Sequence, residues 1–354
     1  MSAPPMPGPP AVQRLRPSIA LAGALAVLLL VAVIASATGP VPIRPLTLVQ
    51  MTAARLGLVH AGPSWPASYE VIFFQVRLPR VLLGVLIGAA LGVAGTILQG
   101  LFRNPMADPY ILGVSGGASV GAVLALALTP SLPWLGLNSV PAFALLFALA
   151  TVAAVYRLAR VGDRAPMTGL LLAGVAVSAL CSAVVSLLLT LKRESADAAL
   201  FWLLGSLAGA TWRDVGAVAP YFVGGLLLSL GHARELNVLL LGEEAAYHLG
   251  VAPERVERRL LFTGSVMAAA AVSAAGVIGF VGLIVPHAVR LVTGPDHRLL
   301  IPLAGLLGAA VLVASDTLAR MLLSPVELPV GVVTALAGVP FFLWLLRRYR
   351  AGLT

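Results

Sequence analysis

Residues 77–102 read RLPRVLLGVLIGAALGVAGTILQGLF, a long apolar run that begins beside two arginines. A segment of about 20 mostly apolar residues can cross the hydrocarbon core of a bilayer as a helix. Gly84, Gly88 and Gly92 recur at every fourth position and therefore share one helix face. Because small side chains let a second helix approach closely in lipid, the stretch predicts a membrane-spanning helix in a tight bundle.

The composition of the whole chain supports this prediction. Its 354 residues are 59% hydrophobic and 10% charged, whereas soluble domains carry about 25% charged residues. A net charge of +9 can indicate a nucleic-acid partner, but the arginines lie between apolar segments, where they act as topology signals. We therefore expect a polytopic membrane protein that contacts lipid and binds no nucleic acid.

Ten segments satisfy the length requirement for a spanning helix. They are residues 18–37, 78–102, 110–129, 138–158, 166–191, 212–231, 258–275, 277–293, 299–323 and 329–348. Gly276 and Gly279 interrupt the seventh and eighth segments, which therefore form either two helices or a helix and a half-helix. The expected fold is all-α, a single ten-helix transmembrane domain at 18–348, with a disordered tail at 1–17 and a short tail at 349–354.

The first segment has an alternative interpretation as a cleaved signal peptide. Ala35-Ser36-Ala37 is similar to a signal-peptidase site. However, the apolar segment 18–37 is longer than the roughly 7–15 residues of a signal-peptide core. We interpret it as an uncleaved first span.

The distribution of basic residues predicts the orientation. With ten spans, both termini lie on the same side, and that side collects nearly two thirds of the 23 lysines and arginines. The positive-inside rule therefore places both termini in the cytoplasm, in a multi-pass protein of the cytoplasmic (inner) membrane.

A faint internal repeat links two parts of the chain. Residues 94–97 (AGTI) echo residues 275–278 (AGVI), the first in a segment that runs inward and the second in one that runs outward. Inverted repeats are common in transporters. Chance similarity between Ala- and Gly-rich helices explains the echo equally well.

Ionisable groups in the spans bear on the source of energy. Secondary transporters usually carry such groups at the membrane midplane, but here the acidic residues lie in predicted loops, with Asp316 the exception. Arg320 follows four residues later, so we expect a structural ion pair on one helix face. A P-loop for ATP is not found, because the one lysine, Lys192, is followed by Arg193 rather than Ser or Thr.

Active transport would therefore need energy from another subunit. The largest inward loop contains a segment, about 236–250, that can form a short amphipathic helix. We expect this helix to dock into a partner protein, with a helix resting on lipid as the alternative.

Two other classes of function were weighed. An ion-coupled secondary transporter or channel that acts alone is the main alternative. An intramembrane enzyme is disfavoured, because no Ser/His pair, pair of acids or His-x-x-x-His pattern lies on a predicted span. His287 is tempting as a metal or haem ligand, but a packing or capping role is preferred because no second ligand lies at a useful spacing. The remaining histidines, such as His297, are expected in loops.

Seven motifs lie along the chain from about residue 70 to the C-terminus. They read RLPR (77–80), RNPMADP (103–109), LGVSGG (112–117), LLLAGV (170–175), EAAYHLG (244–250), GFVGLIVPH (279–287) and ELPVGVVT (327–334). In this order the motifs resemble the FecCD-type family, the permeases of vitamin B12, iron-siderophore and haem importers. The resemblance implies an inverted-repeat, type II permease of an ATP-binding-cassette (ABC) importer, whose cargo is a ferric siderophore, cobalamin or haem.

The resemblance also implies an assembly. Two copies form a homodimer around the pathway, two cytoplasmic ATPase subunits bind ATP and magnesium, and one extracytoplasmic substrate-binding protein delivers the cargo. The permease itself is then not an enzyme and holds no cofactor, no metal and no catalytic residue.

Individual residues take their expected roles from the same resemblance. Arg77, Arg80 and Arg320 match positions that bind acidic residues of the substrate-binding protein. Contact with the ATPase is implied for Gly242, Glu243, Glu244, Ala245, Ala246, His248, Leu249 and Gly250.

The cytoplasmic gate is implied for residues in a loop and at the start of a span. Asn104 and Met106 follow the second span, and Met167 and Thr168 begin the fifth, with Met167 in place of a small polar residue. Asn104 and Asp108 each stand directly before a proline, which is typical of turns and helix caps. This second interpretation is compatible with a role in the gate.

Overall fold

The computed structural model describes residues 16–58, 65–128, 139–162 and 165–351. Within these ranges the chain forms fifteen α-helices and confirms the predicted all-α fold. They are α1 (Pro17–Ala37), α2 (Pro45–Arg55), α3 (Ala67–Val71), α4 (Leu78–Leu101), α5 (Val114–Leu128), α6 (Ser139–Ala159), α7 (Met167–Leu191), α8 (Ala196–Leu203), α9 (Trp212–Gly231), α10 (Ala233–Leu239), α11 (Glu243–His248), α12 (Pro253–Ala275), α13 (Val281–Thr293), α14 (His297–Met321) and α15 (Val330–Ala351).

Shorter helical elements connect some of these helices. A π-helical stretch, Ile72–Arg77, joins α3 to α4, so that Ala67–Leu101 is continuous. Two 3-10 helices form at Pro109–Leu112 and Arg193–Ser195. The predicted N-terminal tail lies largely outside the described residues, and α15 extends to Ala351, beyond the predicted end of the last span.

All ten predicted segments are helical, but not all of them are full-length spans. In the described part of the chain, six helices are long and apolar enough to cross a membrane: α1, Ala67–Leu101, α6, α7, α9 and α14. Within the residues whose side chains the structure describes, the third, eighth and tenth segments contain the shorter apolar stretches Val114–Ala127, Val281–Thr293 and Val330–Trp344, and α12 contains the seventh. A multi-pass membrane bundle is therefore confirmed, whereas the count of ten full spans stays a prediction.

The seventh and eighth segments form a helix followed by a half-helix. α12 ends at Ala275, and both Gly276 and Phe280 have a positive φ, of 71° and 69°, before α13 begins. α13 has 13 residues, which at 1.5 Å per residue span about 20 Å. This is shorter than the hydrocarbon core of about 30 Å. The second of the two expectations for this region is therefore correct.

The sequence echo between residues 94–97 and 275–278 does not correspond to a structural repeat at those positions. The first stretch lies inside α4, whereas the second contains the end of α12 and the break that follows it. Chance similarity between small-residue segments explains this echo better.

α4 is the central helix of the bundle. Nearly all of its residues are buried, and it packs against α9, α12, α13 and α14. The predicted glycine face is confirmed, because a Cβ at Gly88 would overlap the carbonyl oxygen of Gly308 and a Cβ at Gly92 would overlap that of Ala304. The order of these contacts shows that α4 and α14 are antiparallel, with their backbones in direct contact.

α1 is an integral part of this bundle. It packs along α14, and the carbonyl groups of Ala35 and Ser36 near its end accept hydrogen bonds from Arg320 and Arg77. These contacts with distant helices support the interpretation of α1 as a span.

The prediction of a single amphipathic helix at about 236–250 is wrong in its extent. The region forms two helices, α10 and α11, separated at Gly242, whose φ is +111°. One face of α10 is buried, because Leu236 and Leu239 pack against the bundle, whereas Arg234 on the same helix is exposed. α11 and the residues after it remain on the surface, so the exposed segment is shorter than predicted.

Candidate functional site

A cluster of ion pairs joins α4, α14 and the segment before α15. Arg80 donates through Nη2 to Asp316 Oδ1 at 2.8 Å and through Nη1 to Glu327 Oε2 at 2.9 Å. Arg320 Nε lies 3.4 Å from Asp316 Oδ2, which confirms the predicted pair on α14. Arg80, Asp316 and Arg320 are buried, whereas the side chain of Glu327 is 42% exposed. Asp316 is therefore the carboxylate that binds two buried guanidinium groups.

Arg77 is held by the backbone at the end of α1. Its Nη1 donates to the carbonyl oxygens of Ser36 at 2.7 Å and Ala37 at 3.2 Å, and its Nη2 donates to that of Val41. Arg320 Nη2 donates to the carbonyl of Ala35 at 3.1 Å. Because cations are favourable at the C-terminus of a helix, the two arginines cap α1. We call this end of the bundle the charged end.

A hydrogen-bond network at the opposite end was missed by the sequence analysis. Asn237 Oδ1 accepts from the backbone N–H of His297 at 2.9 Å and lies 2.8 Å from its Nδ1. Asn237 Nδ2 donates to Asp296 Oδ1 at 2.6 Å, and Asp296 also caps α14 by accepting from the backbone of Arg298. This Asn237–His297 network ties α10 to the first turn of α14.

His297 is therefore misplaced in the sequence analysis. It is the first residue of α14 rather than a loop residue, and it is fully buried. The Asp-His order at a helix start is the one local signal that could have indicated its position. Its partner, Asn237, is too distant in sequence to be found this way.

The predicted ATPase-contact residues form α11 and its flanks at this same end, which we call the coupling end. Ala246 is buried and anchors α11 to the bundle, whereas Glu243, Glu244, His248, Leu249 and Gly250 are exposed. Leu249 is 61% exposed and Tyr247 is 47% exposed. The segment thus exposes apolar side chains at the surface of the bundle, and α10 connects it to the bundle.

The predicted gate residues lie in two separate places. Asn104 Oδ1 accepts from the backbone N–H of Met106 at 2.9 Å, and Asp108 Oδ1 accepts from that of Tyr110 at 2.8 Å, which confirms the turn and cap chemistry. Met167 begins α7 and lines a cavity of about 240 Å³ together with Glu243 of α11. Thr168 beside it is exposed.

One half of the predicted gate and the predicted ATPase-contact segment therefore line the same cavity. Arg258 and Leu261 of α12 also line it, whereas Asn104 and Met106 do not. A gating role for the four residues stays a prediction.

Comparison with known proteins identifies the bundle. Residues 24–348 match the FecCD transport family over most of the chain. The chain belongs to the FecCD transport family. The cobalamin import system permease protein BtuC of Halobacterium salinarum is 46% identical, covering 93% of this chain and 96% of that protein. The hemin transport system permease protein HmuU of Yersinia pestis is 44% identical, covering 79% and 84%.

A solved structure has the same architecture as this FecCD protein. It is described as an inward-facing conformation of a metal-chelate type ABC transporter. Its TM-score is 0.81 at 32% sequence identity, covering 94% of this chain and 100% of that one. The similarity therefore extends through the whole bundle, including both ends described above.

The three arginines expected to contact a substrate-binding protein are already engaged within this FecCD chain. All three are buried at the charged end, where Arg80 and Arg320 bind Asp316 and Arg77 binds backbone carbonyl groups. A docking role stays a prediction. It requires a partner's carboxylate to compete with these groups, and the exposed Glu327 is the one that can be displaced most easily.

His287 has the packing position expected for it, and Cys181 occupies a similar one. Both are buried, His287 in α13 and Cys181 in α7. Within the described ranges, no group of three or more His, Cys, Asp or Glu residues could hold a metal ion.

Asp108 gives this FecCD protein a testable pH dependence. Burial raises the pKa of the Asp108 carboxyl from 3.8 to about 6, although its hydrogen bond from Tyr110 opposes the shift. The folded protein therefore binds this proton more tightly than the unfolded chain does. The contribution of Asp108 to stability should be fully present below about pH 4 and decrease as the pH rises from about 4 to about 6. Asp108→Asn keeps a capping oxygen and should remove this part of the pH dependence.

The measurement is the thermal midpoint of the wild type and of Asp108→Asn in detergent, at intervals from pH 4 to pH 7. Subtracting one curve from the other cancels the titration of all other groups. Asp108→Ala, which lacks both the carboxyl and the cap, should be less stable throughout. Parallel curves for the wild type and Asp108→Asn would contradict the assignment.

Proposed function

We propose that this chain is the permease subunit of an ATP-driven importer that carries a metal chelate across the cytoplasmic membrane. The observation that carries the proposal is the match to the FecCD transport family over residues 24–348. Relatives named as cobalamin and hemin permeases cover most of the chain. The bundle provides the pathway, and the energy comes from a separate ATPase, because the sequence has no P-loop.

The proposed cargo is cobalamin, haem or a ferric siderophore. All three are bulky metal complexes that require a wide pathway with few fixed charges. At the charged end, buried Arg80 and Arg320 pair with Asp316 and buried Arg77 binds backbone carbonyl groups, while most buried side chains in the described part of the bundle are apolar. Selectivity would then reside mainly in the substrate-binding protein that delivers the cargo.

The proposed assembly contains two copies of this chain, two ATPase subunits at the coupling end and one substrate-binding protein at the charged end. The course of the helices supports a location of both termini on the same side of the membrane. α1 ends beside Arg77 and α15 begins just after Glu327, both at the charged end. α1 therefore starts, and α15 ends, at the coupling end, which would face the cytoplasm.

Motion of the ATPases would enter the bundle through α11 and α10. α10 packs against α4 and α14, and the Asn237–His297 network fixes it to the first turn of α14. Met167 at the start of α7 and Glu243 of α11 line the same cavity, so a movement of α11 would change the shape of this cavity. Movement of α11 would therefore reach both α14 and the predicted gate without any contact at the charged end.

A charge on the exposed surface after α11 tests the ATPase contact. Leu249→Arg adds a large cation at a position that is 61% exposed, so the fold should persist. We expect the ATPase subunit to be lost on purification and ATP-driven uptake in proteoliposomes to fall at least about tenfold, because charge in an apolar contact is costly. Uptake is measured with radiolabelled cobalamin, haem and a ferric siderophore, each with its binding protein.

The matched control is Val161→Arg, which adds the same charge at an exposed position after α6. It should retain the ATPase and transport the cargo. Normal assembly and uptake in Leu249→Arg would contradict the ATPase contact. Gradient-driven uptake by this chain alone would instead favour an ion-coupled secondary transporter.

A further inference from the structure

We propose that α2 lies at the membrane–water interface and binds the lipid surface through a stripe of apolar side chains. The stripe consists of Leu46, Val49, Ala53 and Leu56, whose spacing of three or four residues places them on one helix face. Leu46 is 68% exposed, Val49 is 64% exposed and Leu56 is 69% exposed. This inference is independent of the cargo and partners proposed above.

The other side of α2 is anchored in the protein. Leu48 and Met51 are buried in a small hydrophobic cluster with Ile43, Phe73 and Phe74. The apolar stripe is therefore not the face that the fold uses to hold α2 in place. A second apolar face that no helix in the described part of the chain covers needs a partner outside the chain.

The end of α1 sets the depth of α2. α1 has 21 residues and is therefore about 31 Å long, which matches the hydrocarbon core of about 30 Å. The backbone N–H of Ile43 donates to the carbonyl of Ala37, the last residue of α1, at 3.0 Å. Because Pro45 begins α2 only two residues later, the helix starts at the boundary of the hydrocarbon core.

The surroundings of α2 match a lipid interface. Arg44, directly before the helix, is exposed and can reach lipid phosphate groups. Trp212 donates through Nε1 to the carbonyl of Phe74 at 2.9 Å, so it lies at the same level, and its side chain is partly exposed. Tryptophans are enriched at this depth in membrane proteins because one edge of the ring is polar and the rest is apolar.

Lipid is favoured over a soluble partner because the stripe continues an existing lipid-facing surface. Val33 and Ile34 of α1 and then Val41 are exposed along the chain toward α2. α1 is a membrane-spanning helix, so these side chains face acyl chains. The stripe on α2 extends the same apolar surface beyond the end of α1, and Arg44 complements the negative charge of phosphate.

The anchoring has a structural consequence for the charged end. Phe73 and Phe74, which hold the buried face of α2, belong to the π-helical stretch that ends at Arg77. The lipid surface would therefore help to position the helix from which Arg77 caps α1.

Site-directed spin labelling tests the proposal on the full-length protein. A nitroxide is attached at Val49→Cys or at Gln50→Cys in a Cys181→Ala background, in vesicles of phosphatidylethanolamine and phosphatidylglycerol. Gln50 is an exposed neighbour at the edge of the stripe, about 100° around the helix from Val49, so it is the matched control. Power saturation then compares collision of each label with oxygen, which concentrates in lipid, and with a water-soluble nickel chelate.

The label at position 49 should collide more with oxygen than with nickel, at a depth of about 5–10 Å below the headgroups. The label at position 50 should show a lower ratio of oxygen collisions to nickel collisions than the label at position 49. Equal or greater nickel access at position 49 would overturn the proposal. Protection of position 49 that requires an added substrate-binding protein would also overturn it, since the stripe would then be a protein-docking surface.

Discussion

Replacing Asp316 by asparagine is expected to lower the free energy of unfolding by about 3–5 kcal/mol. The substitution keeps the shape of the side chain but removes the charge that binds Arg80 at 2.8 Å and Arg320 at 3.4 Å. Both guanidinium groups are buried. Arg80 would keep its contact with the carboxylate of Glu327, but Arg320 would lose its ion pair. A buried cation without a partner is far more costly than an exposed one.

This effect is measured as thermal unfolding in detergent. The readout is the loss of the monodisperse peak in size-exclusion chromatography after heating. Glu327→Gln is the matched control, because its side chain is 42% exposed and contacts Arg80. An exposed ion pair contributes only about 0–1 kcal/mol, so this variant should unfold close to the wild type. Equal stability of Asp316→Asn and Glu327→Gln would show that the cluster does not stabilise the fold.

The same pair of variants separates structure from docking. If the cluster acts mainly within the chain, Asp316→Asn should lose stability before any substrate-binding protein is added. Adding Arg320→Met to Asp316→Asn should then recover part of the loss, because one unpaired cation is removed.

Replacing Gly95 by alanine is expected to destabilise the bundle by at least about 3 kcal/mol, the upper end of the usual cost of overpacking. A Cβ at Gly95 would overlap the carbonyl oxygen of Gly282 in α13. The obstacle is backbone rather than a flexible side chain, so α4 and α13 would have to move apart. The folded fraction and its thermal midpoint in detergent measure the loss.

Gly224→Ala is the control for this substitution. Gly224 lies within α9, and a Cβ there would meet no atom within 4 Å. This variant should be as stable as the wild type or more stable, because alanine favours the helix. Comparable loss in both variants would mean that helix propensity or expression, rather than the contact with Gly282, limits the Gly95 variant.

The helices and their closest contacts were largely predictable from sequence. Apolar length is a local property, so the span at 212–231 coincides with α9, and the spacing of Gly88 and Gly92 revealed the face that meets α14. Short or broken elements were less predictable. The separation of α10 from α11 depends on the positive φ of Gly242 and on helices that bury Leu236, neither of which is visible in the local pattern.

The candidate site was predictable only where its residues are close in sequence. Asp316 and Arg320 are four residues apart, and their pairing follows from helix geometry. Arg80 binds Asp316 across 236 positions, and Asn237 binds His297 across 60. Single-sequence reasoning has no access to such contacts, so it paired Asp316 with Arg320 alone and placed His297 in a loop.

The antiparallel pair of α4 and α14 has a mechanical consequence. α14 is an unbroken helix of 25 residues, about 37 Å long, and its backbone touches α4 near its midpoint, at Ala304 and Gly308. One extremity is tied to α10 and the other to Arg80. If α14 rotates about its contact with α4, its two ends move in opposite directions. A movement that starts at the coupling end would then narrow the pathway at one side of the membrane and widen it at the other.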